Sequence, residues 1–298
     1  MPTSRKSLSG EPLGLHHQAT IQDRLVPLGH GLSEYCFSNL FLFRHVHQYR
    51  LIDSQFPFIS GLTYDGSLTL LPVFGLKNVN PGYLKESLTG YDCYYPISKE
   101  DLNFFDPDYY TFSINRDDSD YVYSTTRFLD YSGRKLAPKK NLLTQFLTLY
   151  DPSIRPLNFD TLQDAVSVLD QWLGDVGKEK ADTDYDPCRE ALSNLDKLCL
   201  SGIVYYNNQK PLGFLITKEV IPGMCVIHFA KGLRSIKGIF QYMFHNFAHK
   251  HSERYHWINF EQDLGKPNFR KTKKSYHPDK LLKKYRVSIR TKYTGSTG

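Results

Sequence analysis

The order strand, loop, helix, strand over residues 225–260 constrains this chain more than any other feature. Cys225–Lys231 is rich in strand-forming residues, and Leu233–Lys237 is a basic loop that ends at Gly238. Phe240, Met243, Phe244 and Phe247 then recur at the spacing of one helical face, and His256–Phe260 is again strand-like. Two strands joined by a helix lie parallel in one sheet through a right-handed crossover. The segment therefore predicts that Cys225–Lys231 and His256–Phe260 are parallel neighbours bridged by a helix over Ile239–Lys250.

In such sheets ligands sit beyond the carboxyl ends of the strands. The second strand runs straight into a charged loop there. Glu261 and Asp263 come first, Gly265 breaks the element, and Arg270, Lys271, Lys273 and Lys274 follow. Two carboxylates and four cations are costly to bury unless they are paired or used. Pairing within the loop and work on a ligand both remain open. The other loop offers Arg234, Ser235, Lys237 and Gly238 just before a helix, where backbone N–H groups and the helix dipole favour an anion; a plain turn is the competing reading.

Elsewhere the chain alternates between short strands and helices. Asp65-Gly66 is a hairpin signal between Phe58–Tyr64 and Leu68–Phe74. Ser33 is placed to cap a helix from Glu34 to about Val46, and Pro81 to open a short one. Tyr91–Ile97, Tyr109–Ile114 and Tyr121–Phe128 read as strands, and Pro138 starts a helix carrying Leu142, Phe146 and Leu149. Asp160 with Gln163 reads as a capping box, Asp186-Pro187 opens a further helix, and Asn207-Asn208 turns a hairpin. A final strand is expected over Val287–Tyr293. Residues 1–30 read as a flexible arm, 31–150 as a first module and 151–298 as a second with a basic tail.

Composition narrows the function. The 298 residues are 40% hydrophobic and carry a net charge of +6, as expected of a globular chain of one or two domains. The five cysteines are odd in number and form no CxxC pair, which argues against a disulfide framework or structural zinc and for a reducing compartment. No secretion-type leader and no apolar run of about 18 residues is present, so a cytoplasmic location is expected. The histidines have no metal-ligand spacing, and G-x-S-x-G, Walker and H-E-x-x-H motifs do not occur. From Lys266 to Lys292 eleven Lys or Arg residues face one acid, Asp279. That run is a solvated face or a surface for phosphates, and Lys283 and Lys284 within it are expected to be dispensable for the core.

Three segments carry a family resemblance. Trp257–Phe260 followed by Glu261, Asp263, Gly265, Arg270, Lys273, Tyr276 and Pro278 resembles the ending of the phosphatidylglycerol lysyltransferase C-terminal-domain family. Gly133-Arg134-Lys135 with Lys139-Lys140-Asn141 and Phe146 resembles a second motif of that family. Ile227-His228-Phe229 with Lys231, Gly238 and Phe240-Gln241 resembles a third. The likeness spans roughly residues 133–285. Ala230, Leu233 and Phe244 depart from it, standing where a glutamate, an acidic residue and an asparagine are expected.

The resemblance implies an α+β fold of two GNAT-like modules in tandem, each a mixed central sheet flanked by helices. It also implies acyl or aminoacyl transfer, with aminoacyl-tRNA or acyl-coenzyme A as donor and an amine or hydroxyl, such as that of a lipid headgroup, as acceptor. No covalently bound cofactor is expected. His228 is the candidate base, with Glu261 and Asp263 as further catalytic carboxylates; Arg234, Ser235, Lys237, Gly238, Arg270 and Lys273 would hold the donor's phosphates. The blander alternatives are a hydrogen-bonded core histidine and loop-holding ion pairs. The rival function is a non-catalytic module that binds RNA or anionic ligands through its basic surface.

Overall fold

A computed structural model of the chain describes residues 8–290. The first half runs β1 (Glu11–Pro12), α1 (Gln18–Leu25), α2 (Phe37–Leu42), α3 (Arg44–His47), β2 (Arg50–Ile52), β3 (Phe58–Leu62), β4 (Leu68–Pro72), α4 (Pro81–Ser87), β5 (Cys93–Ile97) and β6 (Tyr110–Ile114). Then follow β7 (Asp120–Ser124), α5 (Arg127–Asp130), α6 (Ala137–Leu149), β8 (Pro152–Pro156), α7 (Leu162–Val176), α8 (Tyr185–Ser193), β9 (Ser201–Asn207) and β10 (Lys210–Ile221). The chain continues through β11 (Met224–Gly232), α9 (Ile239–His251), β12 (Trp257–Asn259), α10 (Pro267–Lys274), β13 (Lys280–Leu282) and β14 (Tyr285–Ile289).

The strands form two seven-stranded mixed sheets, flanked by helices as expected. The first has the order β1-β2-β3-β4-β5-β14-β6 and the second β13-β7-β12-β11-β10-β9-β8. Each contains one parallel pair, β4 with β5 and β11 with β12, and each pair is bridged by a helix, α4 or α9. The second pair and its bridge are those the sequence predicts. Asp65-Gly66 turns the β3–β4 hairpin, with Gly66 at φ 81°. Asn208 and Gln209, both at positive φ, turn β9 into β10.

The two sheets do not divide at residue 150. Strand β7, from the expected first module, lies between β12 and β13 in the second sheet, while β14 returns to the first sheet between β5 and β6. Each sheet thus receives a strand from the other half of the chain. The core follows the same pattern. One apolar cluster packs Leu13, Ile21, Phe37, Leu40 and Ile59 against Val166, Leu169, Phe214 and Phe229. On the opposite face of the second sheet, α5, α6 and α9 bury Phe128, Phe146, Met243 and Phe247 over Leu215, Cys225 and Ile227.

Several expectations are corrected. The arm expected over 1–30 is folded from Glu11 onward, because Leu13, Ile21 and Leu25 insert into the shared core; residues 1–7 lie outside the described residues. The helix expected from Ser33 starts only at Phe37, since Ser33 gives its N–H and hydroxyl to Asp120 instead. The capping box before α7 is formed by Asn158 and Thr161 rather than by Asp160 and Gln163. Strand β14 begins at Tyr285, and the expected residues 291–293 lie outside the described residues. Among the described residues no helix is long and apolar enough to cross a membrane.

Candidate functional site

Strands β11 and β12 pair only over Met224–Val226 and Trp257–Asn259. Beyond that point they part. Strand β11 stays with β10 to Gly232, while the chain after β12 keeps its bonds to the β7 region through Phe260 N–H to Tyr121 O and Tyr121 N–H to Glu261 O. The result is a wedge that opens toward the carboxyl ends of the parallel strands.

His228 stands on the wall of this wedge. Ile216 faces Phe229 across the β10–β11 ladder and Thr217 faces Ile227, so His228 is the extra residue of a β-bulge. A bulge re-aims a side chain that the pleat would otherwise direct into the core. The imidazole Nδ1 lies 2.8 Å from Glu261 Oε1. Glu261 sits just past β12 with φ 58°, a left-handed conformation that is uncommon for a residue with a Cβ, and its N–H is fixed by Asn259 Oδ1 at 2.7 Å. Positive φ here is a strained setting that brings the carboxylate onto the imidazole.

The opposite side of the wedge is supplied by residues 33–39. Ser38 Oγ lies 3.1 Å from His228 Nε2, Cys36 Sγ lies 4.0 Å from it, and Asn39 donates to Glu261 Oε1 at 3.1 Å. Burial pulls the imidazole pKa down. Hydrogen bonds with Cys36 and Glu261, together with the Glu261 charge, outweigh it and hold the ring up at about 10. His228 is therefore an imidazolium at neutral pH, donating to Glu261 on one side and Ser38 on the other.

A second buried network lies beside the first. Lys284, fully buried, reaches Glu34 and Asp120 at 2.7 Å each, Ser33 Oγ at 3.1 Å and the side-chain oxygen Oε1 of Gln262. Its pKa is raised, because the two carboxylates more than offset the burial penalty. Asn259 ties this network to the wedge, donating to Asp120 Oδ2 at 3.0 Å while holding Glu261. The expectation that Lys284 is dispensable is overturned, since it is the buried cation that Glu34 and Asp120 share.

The other site residues divide. Asp263 is buried and accepts from Arg116, from Arg270 at 3.0 Å, from Tyr121 at 2.6 Å and from the Gly265 N–H at 2.9 Å. These bonds hold its carboxyl well below the usual range and leave it no lone pair directed at His228. Arg270 is spent on Asp263 and Asp117. Lys273 donates to the carbonyls of Phe260, Glu261 and Gln262 and so pins the loop that carries Glu261; burial lowers its pKa to about 8. Asp263, Arg270 and Lys273 therefore build the support of Glu261.

Arg234, Ser235 and Lys237 are exposed in the loop after β11. That loop starts five residues beyond His228, roughly 16 Å along an extended strand. Arg234 is tied to Asp175 by its N–H at 3.1 Å and its guanidinium at 2.9 Å. Gly238 is required where it stands. Its φ is 87°, and a Cβ there would meet Leu142 O of α6 at 2.3 Å. The three departures from the family pattern are filled by packing: Leu233 joins the shared core, Ala230 packs against the apolar cluster under α9, and Phe244 lies 4.7 Å from the Phe260 ring and edge-on to Tyr276.

Among the described residues one group could chelate a metal: Glu11, His16 and His17. The Gly14 N–H donates to His17 Nδ1 at 3.1 Å, which puts the ring proton on Nε2, the atom facing Glu11. A ligating histidine needs the reverse arrangement. As bonded here, the cluster caps the short helical turn that begins at Leu15.

Comparison with known proteins agrees with this fold. Residues 26–288 match the family described as phosphatidylglycerol lysyltransferase, C-terminal. An uncharacterized protein of Mycoplasmoides gallisepticum is 23% identical over 218 residues, 72% of this chain and 67% of its own length. Among solved structures, a conserved protein of unknown function from Bacteroides thetaiotaomicron superposes with a TM-score of 0.82 at 22% identity, covering 95% of this chain and 100% of that one. The L-PGS of Bacillus licheniformis superposes with a TM-score of 0.63 at 17% identity, covering 97% and 96%. FemX shares the fold at a TM-score of 0.55 and 7% identity, covering 93% and 96%.

Proposed function

Because the chain belongs to the phosphatidylglycerol lysyltransferase C-terminal family and has its GNAT-like fold, we propose that it transfers an aminoacyl group from an activated ester, aminoacyl-tRNA, to a hydroxyl acceptor on a phosphatidylglycerol headgroup. The observation that carries this reading is the bulged, buried His228 held between Glu261 and a hydroxyl, Ser38. Ser38 Oγ marks where an acceptor hydroxyl would sit. As the acceptor oxygen attacks the ester carbonyl, the leaving ribose oxygen takes a proton from His228 Nε2, and the acceptor's own proton returns to that nitrogen. One ester bond forms, one breaks, and the dyad ends as it began. Glu261 fixes the ring and stabilises its charge. The loop Arg234–Gly238 and the start of α9 supply N–H groups and cations for the donor's phosphates. Acyl-coenzyme A would meet the same loop.

A second reading has its own observation. Ser38 is 1% exposed, so residues 33–39 fill the wedge, as in a module that binds tRNA without catalysis. Incubation with tRNA charged with labelled lysine and phosphatidylglycerol vesicles separates the two. Transfer of label to lipid, reduced about 100-fold or more in Glu261→Gln and His228→Gln, supports the enzyme. Binding of tRNA with no labelled lipid from the unaltered chain removes it.

A further inference from the structure

At the far end of α9 from the loop Arg234–Gly238, a cavity of about 120 Å³ opens between the helix and strands β8 to β10. Ile203, Leu215, Phe247 and Tyr255, all buried, line its interior. Lys250 and His251 stand at its rim. Arg254 is there too, but Glu219 takes its guanidinium. Lys250 has no ion-pair partner among the described residues. Protein interiors are close-packed, and a void of this size is comparable to one that admits benzene. The donor loop lies at the other end of the helix, roughly 20 Å away, whereas Leu215 and Thr217 of the cavity wall pair with Ala230 and Ile227 on either side of the His228 bulge.

We propose that this cavity is a binding site for a small organic anion with an apolar tail, an acyl or aryl carboxylate. The tail lies against Leu215 and Phe247, and the carboxylate lies at the mouth beside Lys250 and His251. An apolar interior with an unpaired cation at its edge complements such a molecule at both ends. A neutral ligand would leave the cation unused, and a simple inorganic anion would leave the apolar walls in water.

Titration calorimetry on the full chain with benzoate, hexanoate and the neutral benzyl alcohol tests it. Both carboxylates are expected to bind with millimolar affinity, and benzyl alcohol about fivefold more weakly, as one partly exposed charge pair implies. Lys250→Glu should reverse that preference, while Leu215→Phe, which fills the cavity, should abolish binding of all three. Should Leu215→Phe fail to fold, Ser201→Trp at the exposed mouth serves the same purpose. No binding of either carboxylate, equal affinity for benzoate and benzyl alcohol, or affinity untouched by the blocking substitutions would overturn the proposal.

Discussion

Lys283 and Lys284 are adjacent, carry the same charge and belong to one basic run, yet Lys283 is exposed and Lys284 is fully buried. Removing one partner from a buried charge cluster leaves the others uncompensated, which costs about 3–5 kcal/mol. Lys284→Gln should therefore lower the urea midpoint sharply, whereas Lys283→Gln should change stability by about 0.5 kcal/mol or less. Equal midpoints for the two variants would show that Glu34 and Asp120 find another partner. His228 gives a pH-dependent counterpart. Its folded pKa of about 10 lies above its ordinary value of 6.5. The stabilisation is thus fully present below about pH 6.5 and is lost as the pH rises toward 10. The difference in stability between the unaltered chain and His228→Gln should shrink over that range, by up to about 1.4 kcal/mol per pH unit. A difference that is flat from pH 6 to 10 would mean that His228 is buried neutral.

At the scale of elements, what was legible had a local cause. The parallel unit β11–α9–β12 could be read because period, glycine and strand order all coincide in one stretch. The hairpins could be read because Asp65-Gly66 and Asn207-Asn208 announce turns. The bulge at His228 could not. Cys225, Ile227 and Phe229 alternate without a break, and only the register with β10 shows that Phe229 has changed face. His228 and Glu261 could still be paired, since one lies within and the other just past strands expected to be neighbours. Ser38, Cys36 and Asn39 gave no signal, because about 190 residues separate them from His228 and they occur in an apolar stretch. Asp263 and Arg270, seven residues apart, were open to a ligand or to each other; the additional bonds from Arg116 and Tyr121 on distant elements satisfy the carboxylate within the fold. A strand's existence was legible in Tyr121–Phe128 and near Val287, but its sheet was not, since pairing partners leave no mark on the strand itself.

At the scale of the whole molecule, the exchange of β7 and β14 makes each sheet depend on both halves of the chain. A chain ended after Lys284 keeps the buried lysine but loses Val287, which is fully buried in the cluster of Tyr94, Phe105 and Tyr110. It also leaves β5 and β6 with no strand between them. Hydrogen exchange should then show the amides of β6 and the β14-facing amides of β5 unprotected, and the loss should spread to the second sheet through the shared core. Protection unchanged outside residues 285–290 would show instead two independently stable bodies. The same exchange sets a schedule for synthesis. Strand β14 leaves the ribosome about 170 residues after β6, which at about 5–20 residues per second is a wait of about 10 to 35 s. Throughout that interval β5 and β6 have open edges, the kind of unpaired surface that invites pairing with other chains.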